Sequence, residues 1–202
     1  MPALYVLGGA NGVGKTTWYQ LGVENKSINP ELPFINIDLI VLRELGGYTA
    51  ENLAKAEQIA REKMKVLIQE RRDFMIESNL SKSTDYDWIA SMRKYGYDTV
   101  LFFLGTNDVE INKNRVKARV LEGGHAVADP IIEQRYQMGL SYLKSKVLDF
   151  SETTIIDVSG HQPCIMAQLQ KGRIMYKDTN CPPWEQATLE LAERIEARRG
   201  SS

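Results

Sequence analysis

The chain has 202 residues, which is long enough to bury one sizeable hydrophobic core. Hydrophobic residues make up 43% and charged residues 25%, as in ordinary globular domains, and the net charge of -1 makes nucleic acid an unlikely partner on electrostatic grounds. The sequence opens with no charged-then-apolar leader and contains no apolar run near the roughly 20 residues of a membrane helix, so we expect a cytoplasmic protein without a membrane span.

Strand-like and helix-like segments alternate along the first half of the chain. ALYVLGG predicts a strand, and GKTTWYQLGV opens a helix directly after a glycine-rich loop. LPFINID predicts a second strand that ends on Asp38, and apolar residues at helical spacing predict a long helix over 49–72. DFMIES predicts a third strand that ends on Glu77, followed by a helix over 84–95 that stops at Gly96.

The same alternation continues in the second half. YDTVLFFLG is apolar enough for a buried parallel strand. Asn107 with Glu110 three residues later predicts the capping box of the next helix, GGH ends that helix, and Asp129 followed by Pro130 predicts another start with Asp129 as the cap. TTIIDVS predicts a fifth strand, CIMAQLQ and RIMYKD predict a hairpin, and a last helix follows CPPW.

Five repeats of strand and helix predict an α/β fold, with a parallel sheet flanked by helices on both faces. We expect a single domain over 1–202, with a helical lid over about 107–148 and a C-terminal hairpin plus helix over about 161–198. Ligands of such sheets bind beyond the carboxyl ends of the strands. Four residues end predicted strands and should therefore meet in one crevice: Gly8, Asp38, Glu77 and Gly105.

Residues 9–16, GANGVGKT, fit the phosphate-binding pattern GxxxxGK[ST] between a predicted strand and a predicted helix. The glycines let backbone N–H groups turn inward, and the helix N-terminus adds its positive dipole end. We therefore expect ATP or GTP here, with Lys15 at the β- and γ-phosphates and the Thr16 hydroxyl on Mg²⁺. The expected nucleotide-binding residues are Gly9, Ala10, Asn11, Gly12, Val13, Gly14, Lys15, Thr16 and Thr17.

Two carboxylates follow the second and third strands. Asp38 is placed to accept the proton of an attacking hydroxyl, and Glu77, with Asn79 beside it, is placed to hold the acceptor or a water on Mg²⁺. The alternative for Asp38 is a helix cap, and the alternative for Glu77 is a solvated strand end.

Three arginines lie in the predicted lid. Arg115 and Arg119 are four residues apart on one helix face, and Arg135 follows on the next helix. Such arginines neutralise charge on a transferring phosphoryl group, so we expect catalytic roles for Arg119 and Arg135 and a substrate contact for Arg115. The alternative is a solvated basic face. His125 is interpreted as a hinge or cap residue, and 157–160 as a weak candidate for base binding.

These motifs, in this order, resemble the zeta toxin family of P-loop kinases: GGANGVGKTT, FINID, FMIESNLS and RVKARVLEGGHAVADPIIEQRY. The resemblance spans about 3–160. It implies Asp38 as the catalytic base, Glu77 as the substrate-side carboxylate, and Arg119 and Arg135 as phosphate clamps. It also implies an acceptor such as UDP-N-acetylglucosamine, a nucleotide sugar phosphorylated by toxins of the family, and an antitoxin protein as a candidate partner.

Two other functions fit the phosphate loop. A nucleotide-dependent switch ATPase without a small-molecule acceptor usually has a strand that ends in a Walker B aspartate, whereas TVLFFLG ends in glycine, and the chain has no LSGGQ motif. A P-loop kinase of another acceptor, such as a nucleoside, a sugar acid or an RNA end, is the second alternative. The weak basic character counts against RNA.

Overall fold

The computed structural model describes residues 1–178, 180, 184, 188–190 and 193, and its centre is a seven-stranded sheet. The strands are β1 (Ala3–Gly8), β2 (Phe34–Ile35), β3 (Phe74–Ser78), β4 (Asp98–Gly105), β5 (Glu152–Asp157), β6 (Cys164–Gln170) and β7 (Arg173–Lys177). The sheet order is β2-β3-β1-β4-β5-β6-β7. The first five strands in this order pair in parallel, and β6 and β7 join antiparallel. The predicted parallel sheet and the predicted hairpin are confirmed.

Helices lie on both faces of this sheet, as predicted. They are α1 (Lys15–Glu24), α2 (Ile37–Glu44), α3 (Ala50–Gln69), α4 (Ser83–Ser91), α5 (Val109–Leu121) and α6 (Asp129–Lys146). Because side chains alternate along a strand, β1 sends Leu4 and Val6 into one hydrophobic cluster and Leu7 into the other. The first cluster packs against α3, α4 and α6, and the second packs against α1. Since β1 lies between β3 and β4, the loop that follows it is at the centre of the sheet edge.

The long helix α3 begins close to the predicted residue. The Thr49 side chain accepts a hydrogen bond from the Asn52 N–H at 3.0 Å, which caps the helix, and Ala56 and Ala60 are buried on its inner face. Gly96 has φ of 77°, a left-handed conformation suited to glycine, and ends the turn that follows α4, as predicted.

Asp38 does not end a strand, so that prediction was wrong. β2 stops at Ile35, and the next residue, Asn36, is the cap of α2 because its side chain accepts from the Leu39 N–H at 2.9 Å. Asp38 lies in the first turn of α2, so it is neither a strand end nor the cap. A polar residue caps a helix only where its side chain reaches an N–H two or three residues on, and in FINID that residue is the asparagine.

The predicted caps of the two lid helices were also wrong by one residue. Asp108, rather than Asn107 with Glu110, caps α5, and its carboxylate accepts from the Glu110 N–H at 2.9 Å. Ala128 occupies the cap position of α6 without a side-chain bond, and Asp129 is the first helical residue. There its charge faces the positive end of the helix dipole.

Gly105 does not join the crevice at the strand ends, which corrects a further expectation. The Trp184 indole covers it: a Cβ placed on Gly105 would lie 2.5 Å from a ring carbon. Trp184 Nε1 donates to the Asp157 carboxylate at 3.1 Å and fixes the ring there. Trp184, 188–190 and 193 are helical, and the rest of the predicted C-terminal helix lies outside the described residues.

Candidate functional site

The turn between β1 and α1 is a backbone cradle. Gly12 and Gly14 have φ of 75° and 102°, values that strain any residue with a side chain. A Cβ on Gly12 would lie 2.2 Å from the carbonyl oxygen of Asn112, so the loop touches α5 on that side. A Cβ on Gly14 would meet nothing within 4 Å, which means that this residue faces open space at the start of α1. The cradle therefore fits an anion at a helix N-terminus.

Lys15 lies under this cradle and is only 6% exposed. Its Nζ donates to the carbonyl of Gly9 at 2.6 Å and to Asn79 Oδ1 at 3.2 Å, and it lies 3.7 Å from the Glu77 carboxylate. Burial lowers the pKa of Lys15, while the charges of Glu77 and Asp38 oppose that shift. The ammonium is thus held by groups from β1 and β3 at the point where a phosphate chain would enter.

Glu77 accepts hydrogen bonds from residues at the starts of two helices, α1 and α2. Thr16 Oγ1 donates to its Oε2 at 3.2 Å, and Asn36 Nδ2 donates to the same oxygen at 2.5 Å. Burial raises the pKa of Glu77, and Lys15 opposes the shift. A hydroxyl and a carboxylate at this separation are the hard oxygen donors that Mg²⁺ takes, so these residues fit that ion. Asn36 was missed in the sequence, although its position directly after β2 marked it.

Asp38 faces Tyr48, another residue that sequence reasoning missed. The Asp38 carboxylate acts on the Tyr48 phenol through its charge and a side-chain hydrogen bond, and burial together with that charge raises the pKa of Tyr48 to about 12. The phenol therefore stays protonated beside the carboxylate. The Tyr48 ring stacks on His125, which directly follows Gly123 and Gly124, with ring centroids 4.3 Å apart. The hinge interpretation of His125 stays a prediction.

Two cavities meet at this point. One, of ≈ 340 Å³, is lined by the phosphate loop and by Arg115 and Arg119. The other, of ≈ 420 Å³, is lined by residues that follow β2 and β3 and by Arg135. A larger cavity of ≈ 470 Å³ beside β2 is lined by Thr16 but not by Asp38 or Glu77, so size alone does not locate the site. The residues that line both meeting cavities are Asn11, Asp38 and Glu77.

Arg119 on α5 and Arg135 on α6 approach these cavities. Arg119 donates through an Nη atom to the His125 carbonyl at 2.7 Å, and its Nε is buried with no hydrogen-bond partner among the described residues. Arg135 donates to the Asn11 side chain at 2.7 Å, directly over the phosphate loop. A buried guanidinium N–H without a partner fits an anionic ligand.

Arg115 lies on a different side of the loop. Its guanidinium donates to the carbonyl of Val13 at 3.2 Å and to the carbonyl of Val158 at 2.7 Å. It therefore ties the phosphate loop to the segment after β5, beside a fourth cavity, of ≈ 240 Å³, that Gly160 and His161 also line. Within 157–160, Val158 and Gly160 border this cavity, whereas the Asp157 carboxylate is engaged by Ser159 and Trp184.

A buried polar network, also missed in the sequence, supports the loop from behind. Asn112 is fully buried, its Nδ2 donates to the Asn11 carbonyl at 2.9 Å, and its Oδ1 accepts from Thr106 at 2.6 Å. Tyr136 in turn donates to the Thr106 carbonyl at 2.7 Å, which links α6 to the end of β4. The only signal in the sequence was a polar residue at a helix position that apolar neighbours mark as internal.

Comparison with known proteins decides the family. Residues 1–161 match the Zeta toxin family. The chain belongs to the zeta toxin family. This confirms the resemblance and the predicted P-loop fold class. Within the described part of the chain, no helix is long and apolar enough to cross a membrane.

Individual proteins share a stretch of this sequence or share this fold. Over 69 residues the chain is 38% identical to an "Uncharacterized protein" of Haemophilus influenzae, a match that spans 34% of this chain and about half (49%) of that protein. The AvrRxo1-ORF1:ORF2 complex has a chain with a TM-score of 0.70 and 14% identity, covering 93% of this chain and 64% of that one. A chain from the PezAT toxin–antitoxin system of Streptococcus pneumoniae has a TM-score of 0.57 and 14% identity, covering 98% and 87%.

Proposed function

We propose that this protein is an ATP-dependent kinase that transfers the γ-phosphate to a hydroxyl of a small molecule. The observation that carries the proposal is the meeting of two cavities at Asp38 and Glu77. One cavity has the phosphate loop for a donor, and the other has polar side chains for an acceptor. Because Asp38 and Glu77 line both cavities, they are placed to act on the phosphoryl group that passes from the donor to the acceptor.

The donor side is built for a triphosphate. Lys15 and the N-terminus of α1 hold the β- and γ-phosphates, and the Arg119 Nε supplies a buried donor that needs an acceptor. Arg135, over the loop, adds positive charge at the transferring group. Thr16, supported by Glu77, would hold Mg²⁺, which when bound neutralises charge on the phosphate oxygens.

Asp38 acts as the general base in this proposal. The acceptor oxygen forms a bond to the γ-phosphorus while the bond from that phosphorus to the β–γ bridging oxygen breaks, and ADP leaves with that oxygen. The acceptor proton passes to the Asp38 carboxylate. Tyr48 donates to Asp38 and fixes its orientation, and Asn36 does the same for Glu77, which positions the acceptor beside Asn79.

The nucleotide base would occupy the cavity of ≈ 240 Å³ next to the loop. Arg115 bridges its two walls through the Val13 and Val158 carbonyls, so it shapes this cavity. A neighbouring fold, the AvrRxo1-ORF1:ORF2 complex, has been solved with ATP, with a TM-score of 0.68 and 14% identity, covering 96% of this chain and 63% of that chain. We therefore expect ATP to be the phosphate donor, and GTP is the second donor to be tested beside it.

The test is phosphoryl transfer by the purified chain with Mg·ATP and a panel of sugars, amino sugars, nucleosides and nucleotide sugars, read by mass spectrometry. Asp38→Asn should lower turnover by about 10²-fold or more while ATP still binds. Lys15→Ala should reduce both ATP binding and turnover. The exposed Asp87 on α4 provides the control substitution, Asp87→Asn. Transfer at the wild-type rate by Asp38→Asn would disprove the proposed chemistry.

We also propose that an antitoxin protein restrains this activity, by similarity to the PezAT toxin–antitoxin system. Expression of the wild-type chain in a bacterial host should then slow growth, and expression of Lys15→Ala to the same level should not. Equal growth of the two cultures would count against a toxic role and leave the kinase proposal untouched.

A further inference from the structure

The described side chains that line the cavity of ≈ 420 Å³ on the acceptor side carry more negative than positive charge. Its carboxylates are Asp38, Glu57, Glu77 and Asp85. Its other ionisable side chains are Lys82, Arg135 and His125. Among the described residues that line this cavity, negative groups therefore outnumber permanent cations by two to one.

The two cations do little to offset the carboxylates inside the cavity. Arg135 is directed to the Asn11 side chain over the phosphate loop. Lys82 is exposed, so water screens its charge. At the rim, Glu57 pairs with Arg61 at 3.6 Å and contributes least to the field inside.

Asp85 is the inner carboxylate with the weakest compensation. It is half-buried, the Ser78 hydroxyl donates to its carboxylate at 3.5 Å, and a backbone hydrogen bond from Lys82 adds to that. Burial raises the pKa of Asp85, and the charge of Lys82 only partly opposes the shift. A further positive charge in the cavity would therefore stabilise the Asp85 carboxylate.

Asp85 also borders a smaller, mostly apolar cavity of ≈ 190 Å³. Trp88, Met64 and Ile76 form its walls, and it joins the acceptor cavity along Glu77, Ser78 and Asp85. A ligand with a positive group at Asp85 can therefore pack its carbon skeleton against Trp88.

We propose that the acceptor is a cationic hydroxyl compound, an amino sugar or amino alcohol, whose ammonium pairs with Asp85 while its hydroxyl lies at Asp38. This inference rests on the proposed kinase function. A nucleoside diphosphate sugar carries two negative charges, which would lie among these carboxylates, and the permanent cations among the described residues that line this cavity are Lys82 and Arg135. Like charges brought together in a confined site are repelled, and the cost grows as water is excluded.

The test is a charge series on one sugar ring. Glucosamine, N-acetylglucosamine, N-acetylglucosamine 1-phosphate and UDP-N-acetylglucosamine share ring hydroxyls while their charge falls from positive to negative. Binding of each to the full chain is measured in the presence of Mg·ADP by ligand-detected NMR, and transfer is measured with Mg·ATP. Glucosamine should bind at least about tenfold more tightly than UDP-N-acetylglucosamine. The reason is that Asp85 attracts the glucosamine ammonium, whereas several carboxylates repel the diphosphate.

Two substitutions within 82–85 are predicted to change the affinity for glucosamine in opposite directions. Asp85→Asn should weaken glucosamine binding by about 5- to 10-fold, whereas Lys82→Gln should strengthen it by about 2- to 3-fold. The exposed Asp87, two residues from Asp85 on the same helix, gives the control Asp87→Asn, which should leave binding unchanged. A loss of folding would weaken binding in every variant, so opposite signs report the charge itself.

Failure of this inference differs from failure of the kinase proposal. Tighter binding or faster phosphorylation of UDP-N-acetylglucosamine than of glucosamine overturns the cationic acceptor and leaves the kinase standing. Undetectable binding of glucosamine also overturns it. ATP turnover that is the same in wild type and Lys15→Ala, with no acceptor phosphorylated, overturns the kinase proposal itself.

Discussion

Replacing Asn112 by leucine removes the buried link between α5 and the phosphate loop. Asn112 is 0% exposed, and the substitution deletes its bonds to the Asn11 carbonyl (2.9 Å) and the Thr106 hydroxyl (2.6 Å). A buried polar group left without a partner costs about 1–3 kcal/mol, and Thr106 keeps a bond to the Asp108 carbonyl at 3.2 Å. We therefore expect Asn112→Leu to lower the free energy of unfolding by about 2–4 kcal/mol.

Thermal unfolding followed by circular dichroism measures this loss. For a domain of this size each kcal/mol lowers Tm by about 2–4 °C, so Tm should fall by about 5–15 °C. Asn114 lies two residues further along α5 and is exposed, so Asn114→Leu is the matched control and should shift Tm by about 2 °C or less. Because Asn11 also carries the Arg135 contact, the Kd for ATP should rise in Asn112→Leu. A Tm equal to that of the control would refute the assigned network.

Three further predictions concern the loop and the carboxylates. Tyr48→Phe removes a hydrogen bond to Asp38, so kcat should fall by about 3- to 10-fold with the Kd for ATP unchanged, and an unaltered kcat in steady-state assays would argue against the positioning role. Gly12→Ala should cost at least about 2 kcal/mol more than Gly46→Ala in urea unfolding. Both glycines have φ near 75–78°, but only Gly12 would place its Cβ against backbone, 2.2 Å from an oxygen, so equal costs would contradict the close approach. Burial raises the pKa of Asp85 above its usual 3.8, so the folded chain binds that proton more tightly than the unfolded chain and loses stability as pH rises through the pKa. The Tm of Asp85→Asn minus that of wild type should therefore become more positive between about pH 4 and pH 6, and scanning calorimetry showing a constant difference would disprove the assignment.

Much of the fold was readable because its signals are local. Runs such as TVLFFLG are buried on both faces, so they are apolar throughout, and the spacing of Ala56 and Ala60 marks the inner face of α3. The phosphate loop was readable for a similar reason, since its glycines have φ values that only glycine adopts without strain. The five-strand alternation and the family resemblance followed from these features and are confirmed.

Element ends were less predictable. Asn36 and Asp38 are both polar residues near the start of a helix, and Asn107 and Asp108 are adjacent, so either member of each pair satisfies the statistical preference for a cap. The choice depends on which side chain reaches a free N–H, and the tertiary path of the chain sets that distance. The same limit applies to Gly105, because the indole that covers it comes from residue 184, far along the sequence.

By itself, the sequence determined the fold class, the phosphate loop and the general position of the acidic and basic residues, because each depends on periodicity or on residues that are neighbours in the chain. Only the tertiary structure decided what those residues face. Arg115 ties the loop to the segment after β5, Tyr48 holds Asp38, and Asp85 enters the acceptor cavity, since these contacts join residues on separate elements. Charge balance inside a cavity depends on which side chains converge there, and that convergence is a property of the folded chain.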